Sequence, residues 1–305
     1  MDAVSYPKIS VIIQCFNRAP YIAEAIESVL NQGYPNLECI VIDDDSTDES
    51  WNIIQKYKDR LAYCEKWPGK RTSPIYAFNR GFAKATGEIL YSLNDKNKLM
   101  PKSLFAVGKV FNTYPDVEWL SGIGLLIDGD GVVTNVIPVR KDYYEHLAGF
   151  SWAIQHESTF WRRSLWERTG GKFDEEYEWA FDAGLWRKFF FEAKLYHLNT
   201  ILGAYRKLPS AMSTKRKEEF YNYYAKARAD MRKRASLGDR IYMRLYQILR
   251  LGKPLLRNVP DSVWSRIPIF RVFPPEAIAF QNLTNPSAPQ LRRYKRNPFR
   301  TIFPW

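Results

Sequence analysis

A chain of 305 residues, 46% of them hydrophobic, can bury one substantial core or one core with a smaller lobe, which excludes a disordered or fibrous protein. Cys15, Cys39 and Cys64 are odd in number and lack CxxC spacing, so buried reduced thiols are expected rather than a disulfide framework or a zinc site. The net charge of +12 is uneven: residues 236–305 hold 12 Lys and Arg against Asp239, Asp261 and Glu276, which selects an anionic partner without naming it.

Neither a secretory leader pattern nor a run of about 18 apolar residues is present, so the expected location is cytoplasmic. In chain order, "KISVIIQCF" reads as a buried strand, and Pro20 opens a helix carrying Ile22, Ile26, Val29 and Leu30 at helical spacing. "LECIVID" is a second buried strand, followed by the acidic turn "DDSTD" and a helix from about 47 to 58. A short strand near 61–65, a helix in "SPIYAFNRGFAKAT" and the strand "EILYSLN" continue the alternation. The economical fold is therefore α/β with a parallel N-terminal sheet and right-handed crossovers, in which ligands sit beyond the C-terminal strand ends.

After a helix from about 101 to 114 the pattern changes. "VEWLSGIGLLIDGDGVVTNVIPV" predicts a hairpin about "DGDG", "ESTFWRRSLWERTGG" a strand running into a short helix, "DAGLWRKFFFEA" an amphipathic helix, and "LYHLNTILGAYRK" two strands. From about 216 the chain is helical and basic, then proline-rich and irregular. The expected division is residues 1–215 as one domain, with halves 1–115 and 116–215, and residues 216–305 as a basic extension.

The stretch "ISVIIQCFNRAPYIAEAIESVLNQGYPNLECIVIDDDSTDES", with "NRGFAKATGEIL", "QHESTFWRRSLWERTGG" and "FDAGLWRKF" after it, resembles the family 2 glycosyltransferases of GT-A fold over roughly residues 8–208. The resemblance implies an inverting transfer of a sugar from a nucleotide-sugar donor, with a UDP-type donor favoured, to a hydroxyl of a glycan or lipid-linked acceptor. Asp43 and Asp44 are suited to read a uracil-like base and ribose hydroxyls, although such residues also cap helices. Asp182 matches the family's general base, among Trp179, Phe181 and Trp186, whose rings can stack on sugars. The resemblance also places Trp161, Arg162 and Arg163 near the diphosphate and acceptor, and Asn79 and Arg80 in a donor-site patch; Arg71 is a further candidate for the pyrophosphate. For the arginines a solvated surface role is the alternative.

The sequence departs from the family where a metal is usually held. The Asp-x-Asp of the loop "LNDKN" reads Asn94 and Lys96, the usual histidine position is Leu208, and the acid that often accompanies the base is Gly184. Asp95 is then the sole acidic candidate for Mg²⁺ or Mn²⁺, which ordinarily need several oxygen ligands. Lys96 suggests metal-independent transfer, with an ammonium on the leaving diphosphate. A protein of the same fold that binds nucleotide or glycan without turnover is the alternative. The basic extension, interleaved with Leu, Ile, Tyr and Trp, suits peripheral contact with an anionic inner membrane face better than nucleic acid, for which no motif is present.

Overall fold

The computed structural model describes residues 6–68, 73–137, 143–149, 154–209, 211–252, 258–264, 276–281 and 290–295. Strands β1 (Ile9–Cys15), β2 (Leu37–Asp43), β3 (Tyr63–Lys66) and β4 (Ile89–Asn94) run parallel in the order β3-β2-β1-β4. Helices α1 (Ala19–Leu30), α2 (Ser50–Gln55) and α3 (Pro74–Phe82) cross between them. Both faces of β1 and β2 are covered, which is why these strands read as unbroken apolar runs. Ile9, Val11 and Ile13 face a core shared with Ile22, Ile26 and Val29 of α1, while Ile12 faces the opposite core with Phe78 and Phe82 of α3. Ser73 caps α3 by accepting from the Ile75 N–H, and Pro74 suits the first turn.

Beyond β4 the sheet continues through β8 (Thr159–Arg162), β6 (Trp119–Ile127) and β9 (Leu195–Arg206). Strand β8 is antiparallel to both β4 and β6, whereas β6 and β9 are parallel. Strand β7 (Val133–Ile137) pairs with β6 as the hairpin expected about "DGDG", where Gly131 takes φ +85°. Helix α4 (Ser103–Thr113) follows the two-residue strand β5 (Lys98–Leu99), which pairs with β9. Two strands were predicted over 195–207; the chain forms one, with its irregularity taken up by register shifts against β6 near Gly122 and Gly124.

Helices α5 (Tyr143–Ala148), α6 (Arg163–Arg168), α7 (Phe181–Glu192) and α8 (Met212–Lys215) lead to α9 (Lys217–Arg234) and α10 (Leu237–Leu251). Helix α9 packs on α7 through Ala227 against Tyr177, Ala180 and Ala183. Asp230 of α9 accepts from the Tyr177 hydroxyl at 2.9 Å and from Arg187 at 3.3 Å. Helix α10 starts with a capping box between Ser236 and Asp239 and buries Met243 and Tyr246. The end of the chain was expected to be irregular. Instead β10 (Glu276–Gln281) and β11 (Gln290–Lys295) extend the sheet beyond β9, and Arg293 makes a two-pronged pair with Asp116 at 2.8 and 2.9 Å. All three cysteines are free. Among the described residues no helix is long and apolar enough to cross a membrane.

Candidate active site

Three parallel strands end side by side, with Cys15 opposite Asp43 and Gln14 opposite Asn94. The loops leaving them are tied together. Asn17 Oδ1 accepts from the Thr47 N–H at 2.8 Å, the Ser46 hydroxyl from the Asn17 N–H at 2.9 Å, and the Ser50 hydroxyl from the Arg18 N–H at 2.8 Å. Asn17 and Asp45 take positive φ, 50° and 59°, which these two residue types tolerate better than most. Asp43 is fully buried: Oδ1 accepts from the Ser46 N–H at 2.8 Å, and Oδ2 has no hydrogen-bond partner among the described residues. A buried acceptor left open at a strand end is suited to a ligand's N–H or O–H.

The loop after β4 is a tight turn, with the Asn97 N–H bonded to the Asn94 carbonyl. Asp95 points inward, accepting from the Phe16 N–H at 3.0 Å and lying 3.7 Å from Arg18 Nε. Burial pushes its carboxyl up to about 6, with Asp43 adding to the rise and Arg18, the Phe16 N–H and Lys96 opposing it. Lys96 is only 8% exposed; its ammonium lies 3.3 Å from the Tyr205 hydroxyl and 4.5 Å above that ring. Arg206, buried, donates to the Lys96 carbonyl at 2.9 Å and to the carbonyls of Asp128 and Gly129, and its guanidinium also pairs with Glu24. Lys96 is thus a fixed charge at the strand ends, and Lys98 is paired with Glu24 at 2.6 Å.

The turn His156–Ser158 sits against these strand ends because the sheet makes room for it. Gly124 and Gly203 face each other across β6 and β9. A Cβ on Gly124 would fall 1.5 Å from Gln155 Oε1, and one on Gly203 would fall 1.8 Å from the Glu157 carbonyl oxygen. His156 Nε2 lies 3.4 Å from Asn94 Nδ2, and Asn94 Oδ1 accepts from Gln14 at 3.2 Å. That orientation makes Nε2 the acceptor and assigns the ring proton to Nδ1, 3.3 Å from Glu157 Oε1. Glu157 also accepts from Asn97 Nδ2 at 2.6 Å. Burial pushes the imidazole down to about 4; Asp182 opposes that shift and Lys96 reinforces it, so His156 is neutral at pH 7.

Asp182 lies in the first turn of α7. Its Oδ2 accepts from the Tyr224 hydroxyl of α9 at 2.7 Å, and its Oδ1 from the Ala183 N–H at 2.9 Å. Burial raises its carboxyl above the usual range, while His156, Tyr224 and the Ala183 N–H hold it back and Glu157 adds to the rise. Burial and the neighbouring carboxylate raise the Tyr224 phenol well above its ordinary range, so the phenol keeps its proton and donates a hydrogen bond to Asp182. A partly desolvated carboxylate near a neutral imidazole is a competent proton acceptor. Gly184 holds no second acid for a steric reason: its Cβ would lie 2.8–3.0 Å from the Tyr177 side chain.

The structure brings together Asp43, Asp44, Asn94, Asp95, Lys96 and Asp182, and separates the rest. Trp161 is buried in the core among Phe82, Trp166 and Trp186, so it offers no acceptor platform. Arg162 donates to the carbonyls of Val117, Phe111 and Tyr114, and Arg163 to that of Gly87. Both expectations are corrected by strand direction. Strand β8 runs antiparallel to β4, pairing Arg162 with Ile89, five residues before Asn94 and so about 17 Å from the site at roughly 3.3 Å per residue. Asn79 is also structural, donating to the Phe173 carbonyl and accepting from its N–H. Arg80 forms a two-pronged pair with Glu65. Trp179, partly buried, lies under the Arg216 guanidinium, 4.9 Å from its ring centre. Arg71 lies outside the described residues.

The residues present do not fit a divalent ion. Asp95, the remaining acid of the loop, turns its oxygens to Phe16 and Arg18, and a cation occupies the place of the second acid. Leu208, at the position of the usual histidine, is buried. Among the described residues no group of three His, Cys, Asp or Glu side chains is placed to hold a metal. His156, Glu157, Tyr224 and Arg206 were missed by sequence reasoning. The glycines at 124 and 203, inside otherwise apolar strands, were the available signal for the first two. Tyr224 had none, since it lies in a polar helix distant in sequence from its partner.

Residues 10–118 match the family described as glycosyl transferase family 2. The chain is 31% identical over 176 residues to a glycosyltransferase of Nostoc sp., covering 53% of this chain and 52% of that one. It is 30% identical over 200 residues to the GalNAc(5)-diNAcBac-PP-undecaprenol beta-1,3-glucosyltransferase of Campylobacter jejuni, covering 62% of each. The chain thus spans between half and two thirds of these relatives. Among solved structures, residues 1–349 of TarS from S. aureus in complex with UDP superpose with a TM-score of 0.57 at 19% identity, covering 75% of this chain and 67% of that one, a likeness of fold.

Proposed function

Since this chain of GT-A fold carries a family 2 glycosyltransferase domain over residues 10–118, we propose that it transfers a sugar from a nucleoside diphosphate donor to a hydroxyl of a glycan or lipid-linked acceptor, with inversion. The observation that carries this reading is that His156 contacts Asn94 of the donor loop at 3.4 Å and packs on Phe181, the neighbour of Asp182, at 5.4 Å between ring centres. The undecaprenol-linked substrate in the name of the Campylobacter relative supports a lipid-linked acceptor, and the UDP in the TarS complex supports a UDP-type donor. We assign residues 1–215 to the catalytic domain and 216–305 to an extension that completes it by supplying Tyr224.

Asp43, with its open buried oxygen, and Asp44 read the nucleoside; Asn94, Asp95 and Lys96 form the diphosphate end of the donor site. Asp182 takes the proton of the acceptor hydroxyl as that oxygen bonds to the anomeric carbon. The bond from that carbon to the diphosphate oxygen breaks on the opposite face, and its electron pair leaves with the nucleoside diphosphate. His156, neutral and bonded to Asn94 and Glu157, fixes the distance between base and donor loop. Negative charge grows on the leaving diphosphate beside Lys96. A preorganised ammonium there lowers the barrier without having to reorganise, the role a divalent ion fills elsewhere.

Lys96→Ala is expected to lower kcat about 10²-fold, while EDTA leaves the wild-type rate unchanged, in donor hydrolysis and transfer assays across a panel of nucleotide sugars. Full activity of Lys96→Ala together with abolition by EDTA would overturn the assignment. Nucleotide binding with no turnover in any condition would instead make the chain a binding protein.

A further inference from the structure

Helix α9, one turn after the tyrosine that bonds Asp182, begins to line a second feature. Arg228, Arg232 and Lys233 of α9, Arg240 and Met243 of α10, and Leu147 of α5 line an open cavity of about 710 Å³. That is the size of a small-molecule site. Four cations converge on it, and no carboxylate lines it among the described residues. The guanidinium groups are held in place by main-chain carbonyls: Arg228 donates to Gly149, Arg232 to Leu147, and Arg240 to Ala235 and Arg232. Asp230, the acid in the same stretch of α9, is drawn away by Tyr177 and Arg187, and lies 3.9 Å from Lys233. Arg228 and Arg232 are four residues apart on one helix face, where like charges repel. Burial and this repulsion both weaken the hold of Arg228 on its proton. An arrangement that is unfavourable when empty becomes favourable around an anion.

The cavity opens beside an apolar stripe. Leu237, Ile241, Ile248 and Leu251 repeat at helical spacing on the outer side of α10 and are 77%, 54%, 62% and 84% exposed. Arg240 borders the stripe and also lines the cavity, and Arg244 lies within the stripe's arc. The inner side of the same helix is already used, with Met243 and Tyr246 in the core. A helix apolar on both sides, with arginines beside and within its outer stripe, matches a membrane surface: acyl chains take the stripe and phosphates take the cations. The +12 net charge of the chain has the matching sign.

We propose that the outer face of α10 lies in an anionic lipid surface and that the Arg228–Arg232–Lys233–Arg240 cavity binds the phosphate of a lipid headgroup. This rests on the reading of the chain as a transferase with a lipid-linked acceptor, and deepens it. Tyr224 and Arg228 are one turn, about 6 Å, apart along α9, so the cavity would hold the bilayer surface close to the base.

The test is flotation of the full chain with vesicles. Wild type is expected to bind phosphatidylcholine vesicles containing phosphatidylglycerol at least about tenfold more tightly than pure phosphatidylcholine. Lys233→Glu and the double change Ile248→Ser with Leu251→Ser should each weaken binding about tenfold. These positions are exposed, so an unchanged thermal midpoint establishes that the variants fold. Inorganic phosphate should displace the protein more effectively than chloride at matched ionic strength. Wild-type flotation of either variant, or equal effects of phosphate and chloride, would overturn the proposal. So would binding that single-stranded DNA abolishes while the stripe variant leaves it intact, since that pattern describes a nucleic-acid surface. Vesicle binding needs no donor and no turnover. Its failure leaves the transferase reading standing, and a chain that floats but never cleaves a donor sinks the transferase reading alone.

Discussion

The two ends of the central sheet are both rich in charge and use it in opposite ways. At the C-terminal ends of the parallel strands, Asp43 keeps an open oxygen, Lys96 holds its ammonium over a tyrosine, and Asp182 accepts from Tyr224 beside a neutral His156. At the other end, Arg162 donates to three main-chain carbonyls, and Arg163 donates through Nε to that of Gly87. One segment of chain, residues 155–163, joins the two. It enters at the site with His156 and Glu157, crosses as the antiparallel strand β8, and leaves at the far end with the arginines. On the proposed reading, a single motif contributes machinery through its first residues and scaffold through its last. The rule that ligands sit at carboxyl strand ends applies to the parallel strands, and an antiparallel strand inserted among them inverts it.

Exchanging the two roles by mutation separates them, and the largest effect belongs to the base. Asp182→Asn keeps an acceptor for the Tyr224 hydroxyl but cannot take a proton, so kcat for transfer should fall about 10³-fold with little change in donor affinity. Steady-state transfer and nucleotide titration check this. A loss below tenfold would move the base elsewhere. Arg162→Met should do the converse: several buried carbonyl bonds vanish, folding stability drops by about 3 kcal/mol, and activity per folded molecule is retained. Urea unfolding with assays on the folded fraction measures it. A well-folded Arg162→Met without turnover would place the chemistry at the wrong end of the sheet for the present reading.

How far the sequence shows this asymmetry depends on how local the cause is. The parallel half was legible because buried strands and their crossing helices write their periods directly into the chain. Asp43, Asp44 and the 94–97 loop are candidates from their positions after strands, and Asp182 from the resemblance to the family. Arg162 and Arg163 were misplaced because strand direction within a sheet is a tertiary property that no local pattern encodes. The β10–β11 pair was missed for a related reason: proline-rich flanks hide two short strands, and β10 docks on β9, some 80 residues earlier in the chain. That Asn94 and Lys96 stand where the family usually carries two acids was readable residue by residue. That Lys96 is nearly buried and fixed by Tyr205 and Arg206 was not, because those partners come from a different strand.

The smallest effect expected is at the junction of the active end with the extension. Tyr224 donates to Asp182 and so favours the ionised base, whose carboxyl burial has already raised. Removing the donor in Tyr224→Phe raises it further, because the hydrogen bond favours the charged form. The base works only when ionised, so activity is lost as pH falls through its pKa, and the acid limb of the kcat/KM profile should move to higher pH. Above that limb the rate should stay within about threefold of wild type. The sign for folding is fixed by the same linkage. A carboxyl raised in the folded state contributes stability below its unfolded pKa and loses it as pH rises through the folded value, so the variant should lose more stability toward alkaline pH than wild type does. An acid limb that stayed in place or moved down would mean that the Tyr224 hydroxyl does not tune the base, and that α9 serves the site by packing alone.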